Sequence, residues 1–117
     1  MDKCIFCMIV NKEIPSKIIY EDEHILAFED INPQAPVHVV VISKNHLKNI
    51  SELTEYSKQN GSSLIDSMIK VCVEVAKIKG IKETGFRIIN NCGEDGGQTV
   101  MHVHFHVLGG TVLGEKM

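Results

Sequence analysis

His102, His104 and His106 alternate with three apolar residues near the end of the chain. Alternation with a period of two predicts a half-buried β-strand, because successive side chains of a strand point to opposite faces. We expect the apolar set to face the core and the three imidazoles to line the other face. Imidazoles add little apolar burial there and would repel one another if charged. The pattern therefore favours a metal site or phosphoryl chemistry over a solvated strand face that is merely rich in histidine.

The segment from Asn91 to Met101 leads into this strand and is rich in glycine. Glycine-rich loops can turn backbone N–H groups inward and cradle a phosphate. The segment is not a P-loop, because no Gly-Lys-Ser/Thr follows its glycines. It is not a dinucleotide-binding turn either, because a predicted strand, rather than a helix, follows it.

Composition and charge limit the classes of partner and the location that we expect for this chain. The formal charge is −3 and no run of Lys or Arg is present, which argues against a nucleic acid polymer as partner. The longest apolar run, near residues 39–42, is too short to span a membrane. Four cysteines without a secretory signal favour free thiols in the cytoplasm. The length of 117 residues predicts one domain, residues 1–117.

Strand patterns precede the histidine strand at four places, and helical patterns at three. The predicted strands cover residues 18–21, 25–28, 37–43 and 86–90, and the predicted helices cover residues 5–11, 49–57 and 63–79. Short connections between most strands favour antiparallel pairing. The fold class is therefore predicted as α+β, a five-stranded, mostly antiparallel sheet with one long and one or two short helices.

The predicted helix at residues 63–79 has an unusually narrow polar stripe. Its polar residues fall three or four positions apart, at Asp66, Lys70, Glu74 and Lys77, and apolar residues cover most of the rest. A surface helix needs only one apolar stripe. We therefore expect a second copy of the chain to cover part of this helix in a homodimer. The alternative is a helix that lies centrally in its own domain.

The glycine segment and the histidine strand together read Gly-Gly-Gln-Thr-Val-x-His-Val-His-x-His-Val-Leu-Gly-Gly. This pattern resembles the histidine triad (HIT) family, in its Hint branch of nucleoside phosphoramidases. Further matches at Asp30-Ile31 and at Gln34-Ala35-Pro36-Val37-His38 extend the resemblance over nearly the whole chain. The resemblance implies a HIT-like fold and a nucleotide as small-molecule substrate.

Catalytic roles follow from the same resemblance. It implies that His104 is the nucleophile and forms a covalent nucleotidyl-histidine, that His106 binds phosphate oxygens, and that His38 supports the triad by hydrogen bonding. Neutral imidazole suits nucleophilic attack because its pKa lies near neutrality. Thr99 matches a Ser/Thr position of the family, and its hydroxyl is our candidate for handling the proton of the leaving group.

Nucleotide-binding roles are also implied residue by residue. Backbone N–H groups around Gly97, Gln98 and Thr99 would hold the phosphate, and Asn91 would contact the nucleotide. Asp30 would accept both ribose hydroxyls, and Ile31 would wall the base.

The implied reaction cleaves the P–N bond of adenosine 5′-phosphoramidates to AMP and an amine. One alternative is hydrolysis of dinucleoside polyphosphates. Another is a nucleotide-binding module whose hydrolysis is incidental.

Cys4 and Cys7 form one Cys-x-x-Cys pair, which alone is compatible with redox chemistry, metal binding or chance. Some family members with this pair bind zinc, and the resemblance implies structural zinc held here by Cys4, Cys7, His46 and His102. The alternative is a pair of buried thiols without metal. A zinc-bound His102 could not also shuttle a proton.

Overall fold

The computed structural model describes residues 4–61 and 63–115. Its helices are α1 (Ile5–Val10), α2 (Ile50–Asn60) and α3 (Leu64–Ile78). Its strands are β1 (Ile18–Glu21), β2 (Ile25–Glu29), β3 (Val37–Ser43), β4 (Phe86–Ile89) and β5 (His104–Gly109). None of the described helices is long and apolar enough to cross a membrane.

The five strands form one sheet in the order β1-β2-β3-β5-β4, and all four pairings are antiparallel. The predicted α+β class, with a five-stranded antiparallel sheet, is thereby confirmed. The register of β3 on β5 sets Val40 opposite His106 and Ile42 opposite His104. Residues directly opposite each other share a face, so these histidines point to the same side of the sheet as the even-numbered residues of β3.

The two faces of the sheet are covered unequally. One face packs on α3 in the larger core, which buries Met68 and Val75 together with Val103, Phe105 and Val107. The other face carries a smaller apolar cluster in which α1 contributes Phe6 and Ile9. The apolar set of the alternating segment therefore faces the core, as predicted, and the histidines lie on the face that α1 covers.

Boundaries differ from the prediction where side chains or turns replace ladder bonds. β5 begins at His104, not at His102, because the N–H of His102 bonds to Val100 O at 2.8 Å in a turn and that of Val103 bonds to Leu47 O at 2.7 Å. β4 ends at Ile89, and the side-chain amide of Asn90 then donates to His104 O at 2.9 Å.

On one flank of α3, apolar side chains remain partly exposed to solvent. Ile69 is 39% exposed, and Ile65 and Val73, four positions before and after it, are partly buried. Residues at this spacing lie one above another on a helix. They form an apolar row, named here the Ile65–Ile69–Val73 stripe.

Candidate functional site

His104 is held in one tautomer by the chain that precedes it. Its Nδ1 lies 2.7 Å from the carbonyl oxygen of His102, an acceptor, so Nδ1 carries the proton. The lone pair of a neutral His104 is therefore on Nε2. Such an arrangement is what a nucleophilic imidazole requires, because a fixed orientation leaves one unprotonated nitrogen to attack.

His106 is held in the complementary way. The backbone N–H of Gln34 donates to Nδ1 of His38 at 3.0 Å, so the proton of a neutral His38 is on Nε2. That Nε2 lies 2.9 Å from Nδ1 of His106, which must accept. The proton of His106 is consequently on its Nε2. Two successive residues on the same face of β5, His104 and His106, thus present a ring with a free lone pair and a ring with a free N–H donor.

Burial keeps these rings neutral. Desolvation, together with the neighbouring His104 and His38, lowers the pKa of His106 to about 4 against the opposing effect of Asp30. Burial likewise lowers the pKa of His104 and of His38, while Asp30 acts in the opposite direction on both. At neutral pH the rings therefore serve as neutral hydrogen-bonding and nucleophilic groups, not as fixed positive charges.

Asp30 and Ile31 follow β2 and lie beside the histidines. The backbone N–H of Asp30 donates to His38 O at 3.0 Å, and its Oδ2 lies 3.4 Å from His38 Nε2. Its Oδ1 accepts the N–H of Asn32 at 2.7 Å. Ile31 is 88% exposed, so a large apolar side chain stands in solvent next to this carboxylate.

The glycine loop, residues 91–101, is built on the side chains of Gln98 and Asn91. Gln98 is only 5% exposed; its Oε1 accepts the N–H of Gly93 at 2.8 Å and its Nε2 donates to Lys48 O at 2.8 Å. Asn91 donates from Nδ2 to Gly96 O at 2.7 Å. The side chain of Gln98 therefore shapes the loop from beneath, which the glycine-rich pattern alone does not indicate.

Backbone N–H groups of this loop already have acceptors. That of Gly97 donates to Glu94 O at 3.0 Å and that of Gln98 donates to Gly93 O at 3.0 Å. Their predicted role as phosphate donors stays a prediction, and to fill it they would exchange a loop carbonyl for a phosphate oxygen. Thr99 follows directly and is exposed.

Glycine is required at position 96. A Cβ there would lie 2.4 Å from the carbonyl oxygen of Cys92, a backbone atom that cannot move without displacing the loop.

The four predicted metal ligands meet in one cluster. Ligand atoms of Cys4, Cys7, His46 and His102 all lie within 4.8 Å of one another. Nδ1 of His102 lies 3.4 Å from Cys4 Sγ and 3.6 Å from Cys7 Sγ, and Nδ1 of His46 lies 3.1 Å from Cys7 Sγ. Tetrahedral zinc with ordinary bond lengths sets a sulfur and a nitrogen ligand about 3.5 Å apart. The donor set and spacing therefore fit zinc.

His102 has both ring nitrogens committed to this cluster. It is fully buried, and its Nε2 donates to Ser43 O at 2.7 Å, which leaves the Nδ1 lone pair facing the sulfurs. A metal-binding histidine commonly donates its other N–H to a carbonyl in this way. Neither nitrogen is presented to a substrate, so the geometry separates His102 from the proton chemistry of His104 and His106.

Asp30, His38 and His106 also bring ligand atoms within 4.8 Å of one another. A metal there would need a lone pair on His38 Nε2, whereas His38 Nδ1 already uses its lone pair to accept the N–H of Gln34. His38 would have to become an imidazolate. This second cluster is therefore suited to passing hydrogen bonds and not to binding a metal.

Phe6 is a site residue that the sequence analysis missed. Its ring meets that of His104 edge-on at 5.0 Å and that of His102 at 5.7 Å between centroids. The signal available in the sequence is position alone, because Phe6 stands between Cys4 and Cys7. A cluster that gathers both cysteines near His102 brings the intervening aromatic ring against the neighbouring histidine.

The depressed pKa of His106 predicts an acid-sensitive fold. Between its folded value of about 4 and its ordinary 6.5, the unfolded chain binds a proton that the folded chain does not. The contribution of His106 to the free energy of unfolding should therefore be complete above about pH 6.5. The free energy of unfolding should fall as the pH drops from there towards 4. Urea unfolding at several pH values measures this dependence.

The variant His106→Asn should weaken that pH dependence. His24→Asn is the matched control, since the side chain of His24 is 68% exposed in the hairpin between β1 and β2. Equal pH dependence in His106→Asn and wild type would contradict the assignment.

Comparison with known proteins gives consistent matches. The model of the HIT domain family matches residues 11–112. A purine nucleoside phosphoramidase of Escherichia coli (strain K12) is 39% identical over 116 residues, which cover 99% of this chain and 94% of that protein. A HIT family hydrolase from Clostridium thermocellum superposes with a TM-score of 0.90 at 45% identity, covering 100% of this chain and 98% of the other. A histidine triad protein from Clostridium difficile gives 0.88 at 44% identity, with 100% and 97% covered. The alternating histidines, the loop before them and the sheet that carries both thus identify the chain as a member of the HIT family.

Proposed function

We propose that the chain is a hydrolase that cleaves the P–N bond of adenosine and other purine nucleoside 5′-phosphoramidates, releasing the nucleoside monophosphate and an amine. The observation that carries the proposal is the complementary pair on β5, with a lone pair on His104 Nε2 beside an N–H on His106 Nε2. The similarity to the E. coli purine nucleoside phosphoramidase, at 39% identity over nearly the full length of both chains, supports this substrate class.

In the first chemical step His104 Nε2 attacks the α-phosphorus. A P–N bond to the ring forms and the P–N bond to the amine breaks. The amine leaves with a proton that comes from solvent, and Thr99 is our candidate for the group that passes it on. The ring becomes a phosphorylated imidazolium, and the His102 carbonyl, which accepts from Nδ1 at 2.7 Å, stabilises its positive charge. His106 Nε2–H donates to a phosphate oxygen on which negative charge grows.

In the second step water attacks the same phosphorus. The bond to His104 breaks, the monophosphate leaves, and the proton of the water passes to solvent. The ring returns to its neutral tautomer because the His102 carbonyl still holds Nδ1–H. No group of the chain changes its charge over a full cycle.

Nucleotide binding is assigned to the residues around the pair. The carboxylate of Asp30 would accept hydrogen bonds from the ribose diol, and exposed Ile31 would gain apolar burial against the base. Asn91 and the backbone at Gly97, Gln98 and Thr99 would contact the phosphate. Support comes from placement, because Asp30 lies beside His38 and the loop leads directly into β5.

We also propose that Cys4, Cys7, His46 and His102 hold one structural zinc ion. The fit of donor types and spacings supports it. Burial is the main cause that raises the pKa of the Cys7 thiol to about 11, and its hydrogen bond with Cys4, which favours the protonated thiol, adds to it; a thiolate in this position therefore calls for a cation. When bound, zinc would supply cross-linking between α1 and the segment before β5, and no chemical step passes through it.

A homodimer is proposed on the Ile65–Ile69–Val73 stripe. Support comes from its partial exposure directly beside the buried face of α3, so that the apolar surface of this helix is wider than the chain's own core covers. A second copy of the stripe would remove both from water, which is favourable in proportion to the apolar area covered. We place this dimer in the cytoplasm.

Leaving-group chemistry separates the roles of His104 and Thr99. An amine leaves phosphorus readily only when protonated, whereas an activated phenolate leaves unaided. If Thr99 handles the proton, Thr99→Ala should slow an alkyl phosphoramidate by about 10²–10⁴-fold and a nucleoside phosphate with an activated phenolate far less. The measurement is kcat/KM for both substrates.

His104→Ala is the comparison variant and should remove turnover of both substrates. Intact mass after a rapid quench should show a nucleotidyl adduct in the wild type and none in this variant. Normal turnover by His104→Ala would overturn the nucleophile assignment. Equal losses on both substrates in Thr99→Ala would limit Thr99 to binding phosphate.

The zinc proposal predicts about one zinc per chain in protein purified without added metal. The double variant Cys4→Ser/Cys7→Ser should lose it, since two of four ligands are removed. Cys92→Ser is the control, because Cys92 is a thiol outside the cluster. Metal analysis by mass spectrometry decides, and unchanged zinc in the double variant would refute the site.

The dimer proposal predicts twice the chain mass in light scattering at micromolar concentration. Ile69→Asp should shift the protein towards the monomer, because it places a charge in the apolar stripe. Ile78→Asp is the control, because Ile78 is 49% exposed but lies on the opposite side of α3 from Ile69. A monomeric wild type would contradict the proposal.

A further inference from the structure

Besides its proposed contact with the ribose, Asp30 lies against the hydrogen-bonded pair of His38 and His106, called here the histidine network. We propose that Asp30 is also a positioning residue for the His38–His106 pair, so that one carboxylate serves both sugar recognition and proton handling. The proposal rests on the proposed function for its kinetic consequence. Its structural part, an influence of Asp30 on His38 and His106, can be tested without turnover.

The backbone fixes Asp30 against His38. Its N–H donates to His38 O at 3.0 Å, which joins the end of β2 to the start of β3. The N–H of Asn32 then holds Oδ1 at 2.7 Å, which fixes the plane of the carboxylate. In that orientation Oδ2 lies 3.4 Å from His38 Nε2, the atom that also donates to His106.

The negative charge of Asp30 affects how easily His38 and His106 become positively charged. His38 is buried and the side chain of Asp30 is only partly exposed, so their attraction is less screened than on an open surface. Burial lowers the pKa of His38 and of His106 because it disfavours the positively charged ring, and the negative charge of Asp30 opposes that effect on both rings. His106 also faces His104, which lowers the pKa of His106 in the same direction as burial does. Asp30 therefore reduces the penalty whenever positive charge appears on the network.

Sugar binding and this contact need not exclude each other. A carboxylate offers about four lone-pair positions on its two oxygens. The N–H of Asn32 uses one of them on Oδ1, and the 3.4 Å approach of His38 Nε2 covers at most one more on Oδ2. A ribose diol on the remaining positions would tie the orientation of the carboxylate, and through it that of His38, to occupancy of the sugar site.

The decisive comparison removes the diol from the substrate. If Asp30 only binds ribose, Asp30→Asn should have no effect on a 2′,3′-dideoxynucleoside phosphoramidate. If Asp30 also serves the histidines, that variant should lower kcat on the dideoxy substrate by about tenfold. Asp22→Asn is the matched control, because Asp22 likewise accepts backbone N–H groups in a turn but lies in the hairpin between β1 and β2.

Imidazole resonances provide the readout without turnover. In NMR titrations of substrate-free protein from pH 8 downward, Asp30→Asn should move the midpoints of His38 and His106 to lower pH by about one unit, and Asp22→Asn should leave them in place. In wild-type protein AMP should shift the His38 resonances more than 2′,3′-dideoxy-AMP does, a comparison that needs no variant.

Unchanged kcat on the dideoxy substrate with unchanged midpoints would overturn the inference and leave Asp30 as a sugar ligand. Absence of phosphoramidate turnover in the wild type would instead overturn the proposed function, and the midpoints alone would then decide the role of Asp30.

Discussion

The pairing of β3 with β5 is the interaction on which the site depends. Its register sets His104 and His106 opposite Ile42 and Val40. The same register brings His38 Nε2 to 2.9 Å from His106 Nδ1. A shift of β5 by one residue would turn His104 and His106 into the larger core and would turn the core residues of β5 towards α1. Because both faces of this sheet are covered by apolar clusters, burial on each side specifies the register. The chemistry is thus fixed by the same pairing that makes the core.

Sequence periodicity predicted those parts of the site that depend on which way a strand residue points. The alternation from His102 to Val107 assigned the two faces correctly, since a strand offers only two directions. It could not locate the start of β5, because Val103 pairs with Leu47, a residue far away along the chain. For the same reason the glycine pattern indicated a loop without revealing that Gln98 would be buried and bonded to Lys48.

Tautomers form a second level that the residue pattern does not contain. Backbone groups set three of them: the carbonyl of His102 for His104, the amide of Gln34 for His38, and the carbonyl of Ser43 for His102. The side chain of His38 then sets the tautomer of His106. Three chemically identical side chains, one just before β5 and two on it, acquire different roles in this way. His104 keeps a lone pair, His106 keeps an N–H, and His102 turns both nitrogens inward. Burial then keeps the rings neutral, so that these differences persist at physiological pH.

The contact of Cys4 with His102 spans 98 positions of the chain and has a consequence for biosynthesis. Helix α1 has six residues, too few to be stable alone in water, so it docks only when its partners exist. A ribosome adds about 5–20 residues per second. The thiols of α1 therefore wait about 5–20 s before the histidine that completes their cluster is made. During that interval the emerging chain presents two unprotected thiols. Phe6 of α1 can pack against His104 only after nearly the whole polypeptide has been synthesised.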